Sequence, residues 1–231
     1  MMRRLGLLGG TFDPIHYGHL DAAAAARRAL ALDEIRLLPS HDPPHRTAQP
    51  RATSFHRFAL VALAIDGLDG YSVSDTELVR EGPSYTIDTL RTVHLEGWQP
   101  SQVFFILGSD AFAEIASWHA FPEVLDAAHF VVIARPGLGL NAAIERVPAL
   151  GPRVRRAGDS EGESGEKTAI ILVEARTRDI SSTTVRARIA AGDRVDDLMP
   201  STVARHIRAH HLYGAVSELH GQDTRSTRQS V

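Results

Sequence analysis

Leu5-Gly6-Leu7-Leu8-Gly9-Gly10-Thr11-Phe12-Asp13-Pro14-Ile15-His16-Tyr17-Gly18-His19-Leu20 lies just inside the amino terminus. Its first four residues are apolar and read as a buried strand, two glycines break it, and an alanine-rich stretch suited to a helix follows over 20–32. Strand, glycine turn and helix together aim main-chain N–H groups and the positive end of a helix at an anion. His16 and His19 are three residues apart, so in a helix they share one face and can both donate to a phosphoryl oxygen. Gly18 between them leaves room for a phosphate to approach the backbone. The glycine spacing is not that of a G-x-G-x-x-G turn, and no Gly-Lys-Ser/Thr follows as a P-loop requires. Either histidine alone reads as an ordinary helix-start residue. Two of them around a glycine, directly after Gly-Gly-Thr-Phe-Asp-Pro, make a far more specific phosphate site.

Outward from this stretch, short apolar runs at 5–8, 34–39, 71–74, 103–107, 129–134 and 169–173 alternate with helix-compatible segments at 20–32, 53–65 and 86–96. The alternation predicts an α/β fold, a Rossmann-like doubly wound parallel sheet with helices on both faces, whose ligands sit beyond the carboxyl ends of its strands. One domain is expected over 1–216. Within it 151–168, rich in glycine, arginine and acidic residues, reads as a mobile surface insertion, and the polar stretch 217–231 as a disordered tail.

With 231 residues, 43% hydrophobic and 23% charged, the chain can bury a substantial core. A net charge of −3 speaks against general nucleic-acid binding through a basic surface. The absence of cysteine excludes disulfides, thiolate zinc sites and cysteine nucleophiles. No apolar stretch approaches the roughly 20 residues of a membrane helix, and Met1-Met2-Arg3-Arg4 leads into a strand rather than a signal peptide, so a cytoplasmic location is expected.

Four further segments follow strands at the same predicted edge. Pro43-Pro44-His45-Arg46 is a stiff loop presenting an imidazole and a planar guanidinium; as a proline-rich surface loop it would need no function. Pro83-Ser84-Tyr85-Thr86 opens a helix whose first amides and Thr86 hydroxyl suit a small carboxylate, or merely cap the helix. Gly108-Ser109-Asp110 offers a carboxylate to ribose hydroxyls, and Trp118 an indole that stacks on a flat ring or joins the core. Ser181-Ser182-Thr183-Thr184-Val185-Arg186 carries more hydroxyls than one N-cap needs and reads as a second phosphate cradle. His206 and His210 stand four apart on an expected helix, but no H-E-x-x-H pattern accompanies them and no metal ligand is assigned. Arg153, Arg155 and Arg156, mixed with glutamates, read as solvated.

These segments, in this order and together with Arg135-Pro136-Gly137, resemble the bacterial nicotinate mononucleotide adenylyltransferase family of the nucleotidylyltransferase superfamily, from about Leu5 to Tyr213. The resemblance implies adenylyl transfer from ATP to nicotinate mononucleotide in NAD biosynthesis, with His16 and His19 stabilising the ATP phosphates. It further implies ATP binding by Gly9, Gly10, Thr11, Phe12, Gly18, Arg46, Gly108 and Asp110, with Ser181, Ser182, Thr183, Thr184 and Arg186 on the outer phosphates. Nicotinate mononucleotide would meet His45, Tyr85, Thr86, Asp110, Trp118 and Arg135. Mg²⁺ is expected to ride mainly on the ATP phosphates with its waters. The expected partners are these two small molecules, with no nucleic acid and no membrane, and a homo-oligomer is compatible with the sequence. Another adenylyl- or cytidylyltransferase, such as a pantetheine-phosphate type, and a non-catalytic nucleotide sensor stay open as alternatives.

Overall fold

The computed structural model describes residues 2–43, 49–134, 148–158 and 167–215. His45, Arg46 and Arg135 therefore lie outside the described residues, as does the expected tail. Seven strands, β1 (Leu5–Gly10), β2 (Glu34–Pro39), β3 (Tyr71–Val73), β4 (Val103–Gly108), β5 (His129–Ala134), β6 (Val154–Arg156) and β7 (Ile170–Glu174), form one sheet in the order β3-β2-β1-β4-β5-β7-β6. Every neighbouring pair is parallel. The chain winds from β1 outward through β2 and β3, then resumes on the other side of β1 with β4. The crevice at the carboxyl ends of β1 and β4 is thus the topological switch point where such sheets take their ligands.

Alternation along the strands supplies two apolar faces. Leu8, Ile35, Leu37, Phe104, Ile106, Val131, Ile133, Ile171 and Val173 meet a layer containing the helices α1 (Tyr17–Leu30), α2 (Ser54–Ile65), α5 (Ser182–Ala191) and α6 (Ser201–Ala209). Leu5, Leu7, Phe105, Leu107, Phe130, Val132, Ile170 and Leu172 meet the layer containing α3 (Thr86–Leu95) and α4 (Ser109–Ala113). The alanines let α1 lie close to the sheet, with Ala23, Ala25 and Ala26 buried, and within the strand layer a Cβ on Gly6 would sit 2.5 Å from Ile35 Cδ1 and 2.9 Å from Leu32 Cδ1. A larger residue at Gly6 would have to push neighbouring core side chains aside. Among the described residues no helix is long and apolar enough to cross a membrane.

Three boundaries differ from the sequence expectation. β1 does not stop at the glycines but keeps its register with β2 through Gly10↔Pro39, and α1 begins at Tyr17, before the alanines. Part of the stretch expected as a mobile insertion is the edge strand β6, whose ladder with β7 runs from Val154↔Ile170 to Arg156↔Leu172. Backbone pairing holds that strand, which a window dominated by glycine and charge conceals. Arg153, just before it, donates to the carbonyl of Leu125, the carboxylate of Asp126 and the hydroxyl of Thr168. It is therefore a fastener rather than a solvated cation.

Candidate active site

The turn after β1 puts the two histidines in contact. The N–H of His16 donates to Nδ1 of His19 at 3.3 Å, and the rings stack with centroids 3.8 Å apart. Because Nδ1 of His19 accepts, the proton of its neutral ring belongs on Nε2. His16 is only 5% exposed, and burial lowers its pKa to about 4 against a smaller opposing pull from Asp21. It is a neutral imidazole at physiological pH, and its buried Nδ1 has no partner among the described residues.

Two residues of this turn have close neighbours that the sequence does not reveal. A Cβ on Gly18 would lie 3.1 Å from His16 Nδ1 and 3.2 Å from the Arg178 carbonyl oxygen. The missing side chain makes room for the imidazole and that carbonyl. Phe12 has a left-handed backbone (φ 48°), and its side chain is buried in edge contact with the His19 ring, 5.0 Å between ring centroids.

Asp13 ties the turn to distant segments. Its buried carboxylate accepts from the amide of Arg51 at 2.8 Å (Oδ2), and from the amide of Ala52 at 3.0 Å and the hydroxyl of Tyr213 at 2.8 Å (both Oδ1). The Asp13 carbonyl accepts from Arg186 Nη1 at 2.7 Å, and the Pro14 carbonyl from the Ser182 hydroxyl at 3.0 Å. Buried Arg57 donates to the carbonyls of Thr11 and Ala52.

The hydroxyl run at the start of α5 sits beside this turn, as expected, but its groups are more occupied than the sequence suggests. Ser181 is the N-cap and accepts from the Thr184 amide, Thr184 pairs with the Ser181 hydroxyl, and Thr183 accepts from Arg186 Nη2. The surplus hydroxyls knit the helix entrance to the turn. Nε of Arg186 is buried without a partner among the described residues, so this guanidinium still has a donor to give.

Next to the turn lies a cavity of about 240 Å³, and here the structure brings together Gly9, Gly10, Thr11, Tyr85, Thr86 and Trp118. Trp118 stands edge-on to Phe105 and Phe130 of the core. Tyr85 stacks on His119 at 4.2 Å between centroids and is the N-cap of α3, so Thr86 opens that helix and its first amides have no intrahelical acceptor. Gly108 and Asp110 occupy the carboxyl end of β4 and the first turn of α4, beside the cavity-lining Ala111.

Sequence reasoning assigned no role to four polar residues of this cavity, Ser40, Glu77, Ser84 and His119. Ser40, at the end of β2, is 7% exposed and its hydroxyl has no partner among the described residues. Ser84 accepts from the His41 amide at 2.9 Å. Glu77 accepts from the Thr89 hydroxyl at 2.7 Å, and burial pushes its carboxyl above the ordinary carboxylate range. Ser84 lies inside a recognised motif and Ser40 just before another, whereas Glu77 carried no signal beyond being an acid near a turn.

Away from this site, His206 and His210 gather with His56 of α2, whose Nδ1 lies 3.1 Å from Nε2 of His206. Two of these ring nitrogens bond to each other, and no group of three or more His, Cys, Asp or Glu among the described residues is arranged to hold a metal ion.

A doubly wound sheet with a histidine turn and a helix-entrance cradle at its switch point is the frame of a nucleotide-transferring enzyme, and residues 7–188 match the family described as cytidylyltransferase-like. The chain belongs to that family, and within it to the nicotinate-nucleotide adenylyltransferases. It is 40% identical over 214 residues to a Pseudomonas entomophila protein named "Probable nicotinate-nucleotide adenylyltransferase", covering 93% of this chain and 96% of that one. A Pseudomonas aeruginosa PAO1 protein of the same name is 40% identical over 217 residues, covering 93% and 99%. In fold, the chain is similar to Plasmodium falciparum nicotinic acid mononucleotide adenylyltransferase complexed with NaAD, with a TM-score of 0.67 at 17% identity over 92% of this chain and 98% of that one.

Proposed function

We propose that the chain joins ATP and nicotinate mononucleotide to give nicotinate adenine dinucleotide and pyrophosphate, a step of NAD biosynthesis. The observation that carries this reading is the continuity of Gly9, Gly10 and Thr11. These residues wall the cavity that holds Tyr85, Thr86 and Trp118, and they run directly into the turn that holds His16 and His19. The names of the relatives and the dinucleotide in the Plasmodium structure's title agree with it.

In this reading the phosphate of the mononucleotide attacks the α-phosphorus of ATP in line, the new P–O bond forms as the bond to the β-phosphate oxygen breaks, and pyrophosphate leaves. The protein contributes little bond-making of its own, so rate comes from positioning and from stabilising charge on the nonbridging oxygens. His16 and His19 supply neutral N–H donors there, while the entrance of α5 and Arg186 hold the outer phosphates. The first amides of α3 and the Thr86 hydroxyl meet the nicotinate carboxylate, Tyr85 and Trp118 frame the pyridine, and Asp110 takes a ribose. His45, Arg46 and Arg135 join the substrates on the strength of the resemblance alone.

The side chains around the turn are imidazoles, hydroxyls and a guanidinium, and the Asp13 carboxylate is engaged by three hydrogen bonds. Such donors suit phosphate oxygens rather than a hard cation, so Mg²⁺ would be bound mainly by ATP and water and would supply neutralisation of phosphate charge. We assign the reaction to the cytoplasm. The deciding assay is pyrophosphate release with ATP and a panel of nicotinate mononucleotide, nicotinamide mononucleotide and pantetheine phosphate. Release should be fastest with the nicotinate acceptor; preference for another acceptor, or no release with any, overturns the assignment.

A further inference from the structure

We propose that Tyr213 is a positioning residue for the transfer, acting through Asp13 to hold the segment at 51–52 in register with the histidine turn. The inference rests on the reaction assigned above.

Tyr213 reaches the site from the end of the described chain. Its backbone is left-handed (φ 60°), as is that of His211 (φ 51°), a conformation that costs a non-glycine residue free energy and persists only where surrounding contacts enforce it. Packing alone gives no reason for the hydroxyl. Leu212, Tyr213 and Ala215 do pack against the core, but a phenylalanine would pack equally well. The hydroxyl donates to Asp13 Oδ1 at 2.8 Å, a short bond to a carboxylate that is 3% exposed. With the hydroxyl and the Ala52 amide on Oδ1 and the Arg51 amide on Oδ2, the carboxylate plane is fixed from two directions. Without the hydroxyl, the hydrogen bonds to it come from two successive amides alone, and against the longer 3.9 Å ion pair with Arg186 it swings with the segment that carries them.

That swing matters because of where Asp13 sits. Its carbonyl carries Arg186 and the next carbonyl carries Ser182, so three segments converge on one residue: the histidine turn, the chain entering α2, and the entrance of α5. Burial and the neighbouring carboxylate raise the phenol pKa, so the hydroxyl stays a donor across the working pH range. Arg57 and Arg186 balance the charge of the same group.

The test is Tyr213→Phe in the full chain, which removes one oxygen atom and keeps the ring. We expect kcat to fall about tenfold, in line with the cost of sub-ångström misplacement of reacting groups, with the KM for nicotinate mononucleotide changed less than about twofold. Hydrogen exchange should accelerate at the Arg51 and Ala52 amides and not across α3 or the sheet. Asp13→Asn should lower kcat as well, and adding Tyr213→Phe to it should cost little more, since both act through one bond. Unchanged kcat overturns the inference even if exchange rises locally, and so does a uniform rise in exchange, which would mark a merely structural role. Should the unmodified chain transfer no adenylyl group to any mononucleotide, the reaction assignment fails separately. The exchange arm then decides by itself: faster exchange confined to the two amides supports the clamp, and unchanged exchange removes it.

Discussion

The imidazole rings of His16 and His19 lie nearly face to face, 3.8 Å between centroids and 30° between planes, joined by a hydrogen bond from the His16 main chain to Nδ1 of His19. Each ring limits the freedom of the other, so two N–H donors are oriented before any phosphate arrives. Preorganisation of this kind acts on the transition state, where charge on the phosphoryl oxygens is greatest.

His16→Ala and His19→Ala should each lower kcat by on the order of 10²–10³ while raising the KM for ATP much less. Steady-state kinetics at saturating ATP and nicotinate mononucleotide reads this directly. Near-normal turnover in both variants would reduce the pair to a structural helix entrance.

The neutral state of His16 predicts how stability depends on pH. Its pKa in the folded chain is about 4, against 6.5 for an ordinary histidine, so between these values the unfolded chain binds the extra proton. Stability therefore falls as pH drops from about 6.5 toward 4, by about 3 kcal/mol from this group, and is not lost further through it below that range. Urea unfolding of the unmodified chain and of His16→Asn from pH 7 to pH 4 measures the contribution as the difference in slope. Parallel slopes would show that His16 protonates as readily in the folded chain as in the unfolded one.

Arg186→Ala should raise the KM for ATP on the order of tenfold and that for nicotinate mononucleotide far less. Arg186→Lys should recover only part, because an ammonium keeps the charge but has no planar fork whose separate nitrogens reach the Asp13 carbonyl and Thr183 at once. Equal changes in both KM values would make the residue a brace for the turn and nothing more.

Thr86→Val keeps the side-chain volume but removes the hydroxyl at the first position of α3. The ratio of kcat/KM for nicotinate over nicotinamide mononucleotide should fall by about fivefold to tenfold, the worth of one hydrogen bond to a charged group discounted for the amides that remain. An unchanged ratio would assign the choice to the main-chain amides or to a neighbour such as Ser40.

Most of the sheet was legible in the sequence, because fully buried parallel strands appear as short apolar runs; β2 and β5 have the predicted limits, and β1, β3, β4 and β7 differ only at their ends. Motifs that follow a strand within a few residues were legible too, since a parallel sheet delivers them all to one edge. Contacts between distant segments were not. Nothing local at Tyr213 points to Asp13, and nothing at Glu77 points to the cavity it lines, because those relationships exist only after the helices have docked. The neighbours of Gly18 were not legible either, since the Arg178 carbonyl that a Cβ there would meet belongs to the segment between β7 and α5, far away in the chain.

Both borders of the sheet, β3 and β6, are only three residues long, and β6 exposes Arg155 and Arg156. A sheet edge with so few open main-chain groups, lined by long charged side chains, is a poor template for a strand of another molecule. The architecture thus guards against edge-to-edge aggregation at both ends, and the long apolar strands that would be most adhesive lie between them.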